Sequence, residues 1–257
     1  MRCIICNHPS KYSFSKHFDR FDLGKVDYWT CTACGFTISE THKNMPAPRW
    51  EKLNRDCHQA YQGTDENPTD PRWLERLNAQ AATIQLAYES GLIPSNLPWI
   101  DFACGDGKLS SLLKARSRLD LLKFDRYMQN APEYLGTEDL LAGGFDFVIT
   151  TSVFEHLTER SHFDAIEALV SEHGVLGMHT LVREKIPVAP DWFYLQAPHC
   201  SFHTNRSMEI LFKQWGYQSS VYHVESRLWL WFKSNMSDFA RNQNFIYKNG
   251  FVDYWKQ

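Results

Sequence analysis

Two cysteine pairs and one loop of acids and glycines hold most of the chemistry this chain displays. Cys3-x-x-Cys6 and Cys31-x-x-Cys34 each set two thiols on one tight turn, and Gly35 after the second pair suits such a turn. Two close cysteines can aim both sulfurs at one metal, so two pairs supply the four thiolates of a tetrahedral zinc ribbon. The alternatives are four unrelated thiols or two disulfides. Cys57, Cys104 and Cys200 lack a partner at ligand spacing and are expected to be ordinary buried or loop thiols. Further on, Asp101-Phe-Ala-Cys-Gly105-Asp-Gly107 follows the apolar run Leu97–Ile100 and precedes the helix-like Lys108–Lys114. A strand that ends in an acid, turns through glycines and enters a helix gathers backbone N–H groups and a carboxylate around one crevice, where a nucleotide-like ligand can bind.

Two segments downstream of this loop sharpen the reading. Leu121–Asp125 is a short apolar run that ends in an acid about 20 residues on, the place of a ribose-binding carboxylate in a βαβ nucleotide site. Phe145-Asp-Phe-Val-Ile-Thr-Thr-Ser-Val-Phe-Glu-His156-Leu then gives a third apolar strand running into a helix. In this order the three segments resemble the class I S-adenosylmethionine-dependent methyltransferases. That family's first motif reads D-x-G-x-G-x-G, its second strand ends in an acid, and its fourth often carries an FD-x-V … EHL segment. The chain departs from the first motif at Ala103, where glycine is usual. Alanine resists positive φ, so a slightly altered turn is expected.

The resemblance implies a division of labour. Asp101, Gly105, Asp106 and Gly107 would line the methionine side of the cofactor, and Asp125 would accept both ribose hydroxyls. Asp139, or its neighbour Glu138, would contact adenine, and Thr151 with Ser152 would lie near the sulfonium. Methyl transfer to a hydroxyl or an acidic carbon is helped by a base of near-neutral pKa, for which histidine is suited. His199 is the first candidate, with His156 and His203 beside it. The segment Pro198–Thr204 is similar to the H-x-x-F-(F/H)-(S/T) element that borders the substrate pocket of many small-molecule methyltransferases. His156 could instead be a helix-start residue, and His203 a cap for the helix after it. Tyr61 and Tyr194 could roof the substrate with aromatic faces. His42, His58, His162, His173 and His223 lack such context and are expected on the surface.

A four-cysteine ribbon joined to this core resembles, in layout, the sugar C-methyltransferases, although the likeness does not extend to that family's additional C-terminal domain. It implies a small-molecule acceptor: a nucleotide-sugar, a glycan or a secondary metabolite. An RNA base methyltransferase is the alternative, since the ribosomal RNA guanine methyltransferases also carry an N-terminal zinc module. Such a module should present basic residues to phosphate, but here Lys11, Lys16, Arg20 and Lys25 alternate with Asp19, Asp22 and Asp27. A non-catalytic interaction protein is the third possibility, against which the set of cofactor carboxylates speaks.

The elements that must hold these residues can be read from patterning. With 257 residues, 43% of them hydrophobic, the chain can bury a large core. Its formal net charge of −3, without a basic tract, disfavours a broad nucleic-acid groove. No apolar run nears 18 residues and no charged-then-apolar leader follows Met1, so neither membrane span nor signal peptide is expected, and a reducing cytoplasm is the default. Pro71–Ser90 is the clearest amphipathic helix; Ser161–Ser171 and Asn205–Gly216 read as helices, and Gly174–Leu181 as a strand. Gln218–His223 and Arg227–Phe232 are close enough to pair antiparallel. The expected fold is α/β: a Rossmann-like, seven-stranded methyltransferase sheet with a small N-terminal zinc ribbon built on short strands rather than on a hydrophobic core. Its expected parts are the ribbon over residues 1–46, a helical linker region over 47–95, the S-adenosylmethionine-binding core over 96–235 and a C-terminal tail over 236–257.

Overall fold

The computed structural model describes residues 1–61, 71–128, 131–234 and 248–256, with the side chains of 58–61, 71–72 and 256 outside that description. In chain order the elements begin with β1 (Ser10–Phe18), β2 (Gly24–Cys31), β3 (Thr37–Ser39), α1 (Glu40–Lys43), α2 (Ala47–Tyr61) and α3 (Pro71–Glu89). Next come β4 (Trp99–Phe102), α4 (Lys108–Ser117), β5 (Leu122–Phe124), β6 (Phe145–Thr151), α5 (Arg160–Glu167) and β7 (Val170–His179). The last are β8 (Val182–Arg183), β9 (Ser201–Thr204), α6 (Asn205–Gln214), β10 (Ser219–His223), β11 (Leu228–Phe232) and β12 (Phe251–Lys256).

Contacts divide the chain into two units. The first comprises Met1–Asp70, Val153–Phe163 and Thr180–Leu211. Its sheet runs β1-β2-β3-β9-β8, antiparallel except for the parallel β8–β9 step. The expectation of a ribbon without a core is corrected here. Phe14, Val26, Tyr28, Leu53, Trp192 and Phe202 are buried together, with Phe14 stacked on Tyr28 at 4.8 Å between ring centres. The core escapes a reading of the first 46 residues because half of it arrives from α2 and from the segment after β8. The boundaries also differ from those expected, since residues 153–163 and 180–211 pack with the N-terminal segment.

The second unit comprises Pro71–Ser152, Asp164–His179 and Phe212–Gln257. Its seven strands run β12-β10-β11-β7-β6-β4-β5. The four from β7 to β5 are parallel, which is why β6 is buried at every position from Phe145 to Thr150 instead of alternating: both of its faces are covered. The expected antiparallel pair is β10 with β11, in the register Ser219↔Phe232 to His223↔Leu228. On α3 the buried stripe Leu77, Ala81, Ile84, Ala87 follows the helical period, and Gly91 at φ 74° ends the helix in a left-handed turn. Two expectations shift. α5 stops at Glu167 and β7 starts early at Val170, because a register irregularity between Phe145 and Phe147 takes in the extra residues. Residues 251–256 are no tail but an edge strand on β10, held by Trp255 stacked on Trp229 at 5.0 Å. Among the described residues no helix is long and apolar enough to cross a membrane.

Candidate active site

In the first unit the four cysteines converge. Cys3 Sγ lies 3.7 Å from Cys34 Sγ and Cys6 Sγ 3.4 Å from Cys31 Sγ, and all four sulfurs fall within 4.8 Å of one another. These separations are too long for S–S bonds, and near the roughly 3.8 Å between sulfurs that a tetrahedral ion with Zn–S bonds of about 2.3 Å requires. Backbone N–H groups of Ile5 and Ala33 point at Cys3 and Cys31 Sγ, both at 3.4 Å, the donors a thiolate needs. The thiol of Cys34 holds Cys3 down to about 5 against the opposing effect of burial. The donor set fits zinc.

In the second unit the parallel register Asp101↔Lys123 and Asp101↔Ile149 brings the carboxyl ends of β5, β4 and β6 to one edge. Chain order reverses at β4, whose neighbours are β5 on one side and β6 on the other, and ligands of open α/β sheets bind at such a switch point. The turn leaving β4 holds Ala103, Gly105 and Gly107 at φ 56°, 57° and 70°. The turn expected to be altered by Ala103 is therefore kept, and the alanine takes the left-handed conformation itself, at a cost of about 1–2 kcal/mol. At Gly107 a Cβ would stand 2.5 Å from Lys123 Cδ, so the lysine side chain would have to shift, and the φ of 70° would strain any other residue.

Asp125 organises this turn. Its Oδ2 accepts from Gly105 N–H and its Oδ1 from Tyr127 N–H, both at 2.9 Å, while the Tyr134 hydroxyl donates to the Gly105 carbonyl at 2.8 Å. Asp101 is 1% exposed; Ser110 donates to its Oδ2 at 3.1 Å, but its Oδ1 is buried without a partner. Burial raises this carboxyl to about 7. A carboxylate oxygen left without a partner at a switch point is open to a donor from outside the chain, such as an ammonium group. Asp106 is exposed and accepts from Lys108 N–H at the start of α4. Asp139, also exposed, accepts from Gly136 N–H at 2.9 Å. Thr151 ends β6 opposite His179 of β7.

The expected histidines fall in the first unit. His199, 8% exposed, donates its Nδ1–H to the Tyr194 carbonyl at 2.8 Å, which leaves Nε2 with the basic lone pair. His156 stands edge-on to it, with ring centres 5.0 Å apart. The Asn54 amide donates to the Trp50 carbonyl, so its Oδ1 faces His156 Nδ1 at 3.0 Å and fixes that tautomer as well. Burial lowers His199 below the usual histidine range, against the opposing charge of Glu155, so its ring is neutral at neutral pH. His203 is not brought to this pair. It is 0% exposed in a box of Phe36, Phe154 and Phe163, and neither ring nitrogen makes a hydrogen bond. Helix α6 is capped instead by Thr204, whose Oγ1 accepts from Ser207 N–H at 3.1 Å. Tyr194 spends its hydroxyl on Glu155 Oε1 at 2.7 Å. The side chain of Tyr61, at the end of α2, lies outside the described residues, as does that of His58.

Residues that sequence reasoning passed over complete these sites. Glu155 is 1% exposed and also accepts from Thr180 Oγ1 at 3.0 Å; its place next to His156 was the available signal. Asn54 and Tyr134 carried none. His42 and His223, expected on the surface, are buried: His42 bridges Ser39 Oγ at 2.6 Å and the Ala197 carbonyl at 2.9 Å, and His223 takes Thr83 and Ser226 as partners. His162 and His173 are exposed as expected.

Residues 72–221 match the family described as a methyltransferase domain. Among solved structures the chain is similar to the plantazolicin methyltransferase BpumL in complex with a monoazolic desmethylPZN analog and SAH, at 11% identity and a TM-score of 0.46, covering 72% of this chain and 98% of that one. It is similar to Streptomyces venezuelae DesVI at 16% identity and a TM-score of 0.43, covering 64% of this chain and 96% of the other. A SAM-dependent methyltransferase from Thermotoga maritima, described as a possible histamine N-methyltransferase, is 14% identical with a TM-score of 0.37, covering 72% and 100%. No curated protein sequence matches the chain.

Proposed function

The chain belongs to the family of the methyltransferase domain, and from that premise we propose that it transfers the methyl group of S-adenosylmethionine to a small molecule, of the nucleotide-sugar, glycan or secondary-metabolite kind. The observation that carries the cofactor assignment is the orphaned Asp101 Oδ1 beside the Asp125-braced turn. When bound, the cofactor supplies an electrophilic methyl on a sulfonium. Asp101 takes its ammonium, Gly105, Asp106 and Gly107 border its methionine end, and Asp125 uses the remaining lone pairs of its two oxygens for the ribose hydroxyls. Asp139 contacts adenine, and Thr151 borders the reacting end.

In the same proposal the acceptor proton goes to His199 Nε2, with His156 beside it and Glu155 and Tyr194 as positioning groups that hold the His199 loop. His203 is left out, because its buried box offers no route for a proton. Cys3, Cys6, Cys31 and Cys34 hold one structural zinc, a closed set without a position for water. Such thiolates persist in a reducing compartment, and the cytoplasm is the one proposed.

Titration with S-adenosylhomocysteine tests the cofactor site. Asp125→Ala removes two charge-assisted bonds to ribose and costs about 2–4 kcal/mol of affinity. Unchanged affinity would sink the assignment, and no affinity in the parent chain would favour a non-catalytic protein. With an acceptor in hand, His199→Ala lowers turnover roughly 10²–10⁴-fold while cofactor affinity stays put; unaltered turnover would remove the histidine from the chemistry.

A further inference from the structure

The turn between β10 and β11 has a place in the second unit that the cofactor residues do not use. β6 and β7 are parallel, β11 is antiparallel to β7, and β10 is antiparallel to β11. The chain therefore reverses from β10 into β11 at the same sheet edge where β6 ends at Thr151 and β7 at His179. Arg227 stands in this reversal, exposed, two residues before Trp229, which is paired with Met178.

A second arginine reaches the same place from α3. Gln80 Nε2 donates to the Ser226 carbonyl at 3.4 Å, and Thr83 Oγ1 meets His223 Nδ1 at 3.1 Å, so this face of α3 packs on the β10–β11 turn. Arg76 is one helical turn before Gln80 on that face. Its Nε is buried without a hydrogen-bond partner, and Gln80, 0% exposed, has its Oε1 in the same condition. Among the described residues neither Arg76 nor Arg227 pairs with a carboxylate. Both charges are nonetheless felt at His179, which burial first, and then these two arginines, push down to about 3.

Two cations held without a counter-charge, one with a buried donor unmet, are stable partners for an oxyanion, which a guanidinium binds through paired N–H groups. We propose that Arg76 and Arg227 clamp an oxyanion of the methyl acceptor, a phosphate or carboxylate, at the edge of the sheet where β6 and β7 end. This rests on the methyl-transfer reading above and narrows it to anionic acceptors, among which nucleotide-linked sugars carry the group in their diphosphate.

Calorimetry on the full chain saturated with S-adenosylhomocysteine tests it, with inorganic pyrophosphate and citrate as probes at fixed salt. Binding of pyrophosphate identifies a phosphate site, and binding of citrate alone a carboxylate site. Either affinity should fall roughly 10- to 100-fold in Arg227→Ala and in Arg76→Met, recover in part in Arg227→Lys, and leave S-adenosylhomocysteine affinity within about twofold. Arg227 is exposed, so its variants test the clamp even if Arg76→Met folds poorly. Three results would overturn the proposal: no binding of either probe, binding indifferent to both arginines, or a loss of S-adenosylhomocysteine affinity, which would give the arginines to the cofactor's own carboxylate. If S-adenosylhomocysteine fails to bind the parent chain, the methyl-transfer reading falls, and with it the acceptor role of any anion bound there.

Discussion

The cysteine knuckles of the first unit and the glycine turn of the second are built from similar parts and left in opposite states. In each, backbone N–H groups converge on side-chain acceptor atoms: on Cys3 and Cys31 Sγ in one, on both oxygens of Asp125 in the other. The knuckles place four sulfurs within 4.8 Å of one another, a set that one tetrahedral ion would fill without a further position. The glycine turn satisfies Asp125 and yet strands Asp101 Oδ1. A closed set suits a permanent occupant, and an orphaned atom suits one that comes and goes.

The harshest way to break this contrast is to strip the knuckles. Chelation under reducing conditions should release one zinc per chain and loosen β1, β2 and β3, an effect on the order of 10 kcal/mol for structural thiolate sites. Hydrogen exchange would report the loss in those strands while S-adenosylhomocysteine still binds the second unit. Protection that survives chelation would mean that the core around Tyr28 and Phe202 suffices, and that the metal is an ornament of the fold.

The contrast sharpens with pH. Asp101 holds its proton up to about 7 when folded but releases it near 3.8 when unfolded, so the folded chain binds the extra proton between those values. Stability therefore falls as pH rises through that window, by about 1.4 kcal/mol per unit at most. Urea midpoints for the unliganded chain at several pH values would trace the slope, and Asp101→Asn should flatten it. A slope that persists in the variant would place its origin elsewhere.

The smallest effect belongs to the alanine in the turn. Ala103→Gly relieves the left-handed strain but adds freedom to the unfolded chain, for a net gain of up to about 1 kcal/mol. A thermal melt that drops instead would show that the Ala103 methyl packs usefully.

What the sequence disclosed were features confined to short windows. The cysteine pairs, the Asp101–Gly107 turn and Asp125 were legible because their geometry is set by residues within a few positions. The antiparallel β10–β11 pair was legible for the same reason. Partners far along the chain were not. His42 looked like a surface residue because Ala197 supplies its second bond, and His223 because Thr83 lies on a different element. The core of the first unit was invisible in residues 1–46, since Leu53, Trp192 and Phe202 complete it. Tetrahedral thiol spacing announces itself, whereas a hydrophobic cluster assembled from three segments does not.

That assembly bears on how the chain is made. β3 finds its outer neighbour only when Thr37 and Ile38 pair with Phe202 and Ser201 of β9. A ribosome adding roughly 5–20 residues per second needs on the order of ten seconds to cover that gap. Throughout that interval the nascent N-terminus carries an open strand edge and a half-built apolar face, both prone to pairing with other chains. The four cysteines of the knuckles, Cys3 to Cys34, could take a metal long before. Early metallation would thus act as a chaperone encoded in the chain, holding the hairpin in register until translation delivers its partner.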